Sequence, residues 1–84
     1  MIDQDIQLIK DIIEQNKQEL INQYKIGFSA ACYNQHSAGI NKAWSYFTNL
    51  IPVYMRENLD LQNAMIFNSE VKSILAVQLH DWDI

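Results

Sequence analysis

An all-α fold, a small bundle of about four helices with a long first helix, is what this sequence predicts, on three observations. Only two of its 84 residues are glycine and one is proline, the residues on which hairpin turns and strand corners depend. Apolar residues recur at intervals of three and four in successive stretches, the spacing that lines one face of a helix. Ala, Leu, Gln, Glu, Lys and Met, which lose little freedom in a helix, are frequent; the many Ile residues suit either structure and decide nothing.

The first stretch sets Ile6, Ile9, Ile13, Leu20, Tyr24, Phe28 and Ala31 on one stripe with a single wide gap between Ile13 and Leu20, and it predicts one helix from about Asp3 to about Asn34. Asp3 and Asp5 suit the positive end of the helix dipole, and Lys10 with Glu14, then Glu14 with Lys17, stand one turn apart. The stripe passes Gly27 without a change of phase, so the glycine is expected inside the helix. The rival, a left-handed stop at Gly27, would leave Phe28 only Gln23 as its partner in the last turn. Asn16 falls within the stripe where a heptad would hold an apolar side chain; it is expected at a solvated edge or hydrogen-bonded inside, with a register-fixing role in helix association as the alternative.

Asn34 to Gly39 is the clearest break, and Ser37 is suited to cap a second helix that runs to Ile51 before Pro52 stops it. Its apolar face is Ile40, Ala43, Trp44, Phe47, Leu50 and Ile51, with Asn41, Lys42, Ser45, Thr48 and Asn49 opposite. The third segment, Val53 to Phe67, divides its apolar residues between two faces; it reads as helical, with a shorter helix capped by Asp60, or a brief strand at Met65-Ile66-Phe67, as alternatives. Ser69 opens the last predicted helix, with Glu70 in its first turn and Val71, Ile74, Leu75, Leu79 and Trp82 on one face. No linker, repeat or low-complexity run divides residues 1–84, which read as one helical domain. The 16 Asn and Gln residues are expected to solvate the surface in place of charges.

The formal net charge is −4, and it is uneven. Residues 1–42 carry five acids against four lysines (−1), residues 43–84 five acids against Arg56 and Lys72 (−3). Nucleic-acid binding needs the opposite balance, because neutralisation of phosphates by Lys and Arg supplies most non-specific affinity. A helix-turn-helix around Ser37-Ala38-Gly39 would bring a single lysine, Lys42, to the groove. No apolar run approaches the length of a membrane span, and Met1 to Asp5 lacks the basic start of a secretory signal. With a lone Cys32, expected as a small buried hydrophobe, a reducing cytoplasm is the predicted location.

Chemistry is not foreseen. Cys32, His36 and His80 are too few for a zinc site, although Cys32 and His36, four apart, would share a face if helical. Gly27 and Gly39 stand alone, so no glycine-rich loop cradles a phosphate, and no Gly-x-Ser-x-Gly turn supports a nucleophile. The expectation is a non-enzyme without metal or cofactor. The acidic C-terminal half interleaves aromatic residues with acids, and Tyr54, Asp60, Asp81, Trp82 and Asp83 are the expected contacts to a partner protein with a basic surface. Size and charge make the chain analogous, by class alone, to small acidic helical inhibitors, immunity proteins and antitoxins. The alternative is a homodimer through the first helix, where Leu8, Ile12 and Ile26 widen the apolar face.

Overall fold

The computed structural model describes residues 1–83 and contains four α-helices: α1, Asp3–Gln15; α2, Lys17–Ala30; α3, Gln35–Phe47; and α4, Leu61–Asp81, with a 3-10 turn at Val53–Met55. The all-α bundle is as predicted, but the long first helix is not: the expected Asp3–Asn34 helix is two helices, and α4 is the longest. The division falls at Asn16, whose backbone leaves the helical region at φ −114°, ψ 21°. Its side-chain Nδ2 donates to the Ile12 carbonyl at 2.8 Å, while its backbone N–H is shared between Ile12 and Ile13. An Asn amide that takes the carbonyl its own backbone would use offers the chain an alternative to continuous helix. The wide gap in the apolar stripe between Ile13 and Leu20 straddles this break.

The helix does run through Gly27, as expected, but for a reason of packing. α2 and α3 form a hairpin so close that a Cβ on Gly27 would lie 2.5 Å from the Ala38 carbonyl oxygen, and one on Gly39 would lie 2.6 Å from the Tyr24 ring. The tyrosine hydroxyl reaches on to Nδ1 of His36 at 2.7 Å. α2 stops at Ala30, four residues before the predicted end, and Ala31 is extended. Asn34, in the left-handed region at φ 49°, then leads into α3, so Ser37 lies inside that helix and does not cap it. Gln35 satisfies a carbonyl at the end of α2, donating to Phe28 O at 3.0 Å. Because the turn begins at Ala31, Cys32 is exposed and not buried, and it does not share a helix with His36.

α3 ends at Phe47 rather than Ile51. Asn49 and Leu50 turn back onto the carbonyls of Tyr46 and Phe47, and the Thr48 carbonyl is taken by the Arg56 guanidinium at 3.0 Å. The helix predicted over Val53–Phe67 is instead the 3-10 turn followed by the start of α4. Asp60 caps α4, its carboxylate accepting the Asn63 N–H at 2.8 Å, which was the alternative reading of that residue. Met65-Ile66-Phe67 is accordingly helical, and α4 passes through Ser69 instead of starting there.

One apolar cluster joins all four helices: Ile9 and Ile13 of α1, Leu20 and Tyr24 of α2, Ala43 and Phe47 of α3, and Phe67, Val71, Leu75 and Leu79 of α4, closed by Ile51. Each fully buried Ile, Leu, Val or Phe among them contributes about 1.5–3 kcal/mol. Trp44 and Trp82 pack half-buried on its margin. Polar ties hold α4 in place: Lys72 Nζ donates to Asn41 Oδ1 of α3 at 2.6 Å, and the Lys17 ammonium lies 5.4 Å from the centre of the Trp82 ring. The pairs foreseen between Lys10, Glu14 and Lys17 do not close. Amides take that place on the surface, Gln7 with Asp11 and Gln23 with Glu19. Among the described residues no helix is long and apolar enough to cross a membrane.

Candidate protein-binding surface

The outer face of α1 carries Asp3, Gln7 and Asp11 at intervals of four, with Leu8 and Asp5 on its flanks. Ile9 and Ile13 bury the opposite face, which fixes this one toward solvent. The 3-10 turn after Pro52 sets Tyr54 beside it, two-thirds exposed at 65%, while Met55 turns half inward onto the core. The aromatic ring and the three acids thus border one open groove of about 840 Å³, and no lysine or arginine lines it.

A second groove, about 310 Å³, adjoins the first at Asp5. Its walls are apolar, with Ile2, Met55, Leu59, Ile66 and Phe67, and its acids are Asp5 and Glu70. Glu70 Oε2 lies 3.6 Å from the α-amino group of Met1. Ile66 stands 49% exposed because it lies on the flank of α4 turned away from Val71 and Leu75, and Leu59 precedes the Asp60 cap. No lysine or arginine lines this groove either.

Of the five residues expected at the partner surface, Tyr54 lines the groove beside α1 and the other four lie away from it. Asp60 is occupied as the cap of α4. Asp81 ends the same helix, whose 21 residues separate the two carboxylates by about 30 Å along the axis. Asp81 shares a groove with Lys10, and Trp82 is half-buried beneath Lys17. Asp81 and Asp83 are exposed and flank the packed ring, as their positions implied. Asp81 and Trp82 therefore lie beside the chain's own lysines, whereas Tyr54 lines a groove with Asp3, Asp5 and Asp11, which are not among the five expected contacts. The signal for them was the four-residue spacing of Asp3, Gln7 and Asp11; their juxtaposition with Tyr54 is long-range and left no local trace.

The three residues behind the self-association alternative are divided by the break at Asn16. Leu8 and Ile12 are half-buried on α1, and Ile26 is exposed on α2. Among the described residues no group of three or more His, Cys, Asp or Glu converges as a metal site. No family model, curated protein or solved structure matches the chain.

Proposed function

We propose that the chain is a small acidic protein-binding module, in the manner of an inhibitor, immunity protein or antitoxin, that occludes a basic surface of a larger partner. The observation that carries this reading is the groove between α1 and the 3-10 turn, which Asp3, Asp5 and Asp11 line together with an exposed Tyr54 and which no lysine or arginine lines. Exposed carboxylates of one sign raise the rate of encounter with a basic surface by about 10 to 10³. The tyrosine provides an anchor of large area and low entropy cost beside the acids. Asp81, which shares its groove with Lys10, contributes less field at its end of the molecule.

The test is a paired capture from the native source, with the parent protein and an Asp3→Asn, Asp5→Asn, Asp11→Asn variant as baits. A basic protein held by the parent at low salt, released by added salt and absent from the variant supports the reading. Identical retention by both baits overturns it.

A further inference from the structure

The two grooves that meet at Asp5 set an acidic strip directly beside an apolar one, and from this geometry we infer the form of the partner's binding element: a cationic amphipathic helix. The inference rests on the acidic-surface reading and deepens it. A helix carries its apolar residues on one stripe and its charges on the flanks. Laid across this surface, its apolar stripe fills the groove formed by Ile2, Leu59 and Ile66, and its lysines or arginines face Asp3, Asp5 and Asp11.

Charge selects this occupant over the others. A second copy of the chain would bring Asp3, Asp5 and Asp11 against their own images, and neither groove is lined by a lysine or arginine to answer them, the Met1 α-amino group of the second groove lying 3.6 Å from Glu70. Like charges opposed across an interface suppress pairing. The same acids repel phosphate, which excludes nucleic acids and anionic lipid headgroups from this face. A partner that is basic but without an apolar stripe would leave Leu59 and Ile66 exposed to water.

Two synthetic peptides of about 18 residues, five turns of helix, separate the possibilities: one an amphipathic Leu/Lys helix, the other with every leucine replaced by glutamine. Binding is measured by fluorescence anisotropy to the parent protein, to a Leu59→Ser, Ile66→Gln variant, and to the triple Asp→Asn variant at positions 3, 5 and 11. Leu59, Ile66, Asp3 and Asp11 are exposed and Asp5 is partly so, and circular dichroism checks that each variant is folded. The expected result is that the parent binds the Leu/Lys helix about tenfold more tightly than the Gln/Lys peptide, the ratio that one further buried aliphatic side chain supplies. The Leu59/Ile66 variant should lose that advantage, and the triple variant should weaken both peptides. Equal affinity of the parent for the two peptides, or an unchanged advantage in the Leu59/Ile66 variant, overturns the inference and leaves the acidic surface standing. Salt-insensitive or absent binding of both peptides removes the two together. A parent dimer in sedimentation that the Leu59/Ile66 substitutions dissociate shows a second copy on the groove, and overturns the inference as well.

Discussion

Gly27 lies against Ala38 so closely that a Cβ added to the glycine would stand 2.5 Å from the Ala38 carbonyl oxygen. A backbone oxygen within α3 cannot rotate aside, so the α2–α3 hairpin has no means of relief short of moving one helix. Gly39, pressed against the Tyr24 ring, repeats the relationship in reverse. The two glycines of the chain are thus both spent on one helix crossing.

Gly27→Ala is accordingly expected to destabilise, although alanine is the better helix former by about 1 kcal/mol. Overpacking costs about 1–3 kcal/mol and the rigid neighbour places this site at the upper end, leaving a net loss of about 1–2 kcal/mol. Urea denaturation measures it. A variant as stable as the parent would show that the helices separate freely.

Phe47 is fully buried, at 0% exposure, where α3 meets the rest of the core. Its replacement by alanine should cost about 3–5 kcal/mol, the range for an aromatic lost from a well-packed site. A loss under about 1 kcal/mol in thermal or denaturant unfolding would contradict the assigned core.

Asp60→Ala separates a cap from a contact. Loss of the bond to the Asn63 N–H should lower stability by about 1 kcal/mol and leave partner association unchanged. Slower association at unaltered stability would return Asp60 to the binding surface.

At the other end of α4, Trp82 is half-buried on the core with Lys17 over its ring, so Trp82→Ala should cost stability, about 1–2 kcal/mol for a partly buried aromatic. Asp81→Asn with Asp83→Asn should leave the thermal midpoint nearly constant, because both carboxylates are exposed. A drop in midpoint with the acids, or none with the tryptophan, would reverse these roles.

Periodicity made the helices and most of the core legible, because Ile9, Ile13, Leu20, Phe47, Val71, Leu75 and Leu79 repeat at the spacing of a buried face. What it hid were the ends. A stripe records the phase of side chains and not the continuity of backbone, so the Asn16 amide divided the first helix without disturbing the apolar pattern on either side. The same blindness merged the 3-10 turn with the first turns of α4, where apolar residues such as Tyr54, Leu59 and Ile66 serve the surface and not the core. The candidate site was half visible: Tyr54 stood out as an aromatic in an acidic half, but its neighbours on α1 lie more than 40 positions away in the chain. Nearness in sequence drew attention to the Asp81–Asp83 tail instead.

The central claim, that the Asp3, Asp5 and Asp11 groove beside Tyr54 receives a basic partner, is tested most directly by stopped-flow association of the captured partner at two salt concentrations. With those three acids neutralised to Asn, association at low salt should slow by about tenfold or more and its salt dependence should flatten, while the Asp81→Asn, Asp83→Asn variant keeps the parent's rate. Equal rates for the triple variant and the parent, at both salt concentrations, would contradict the claim.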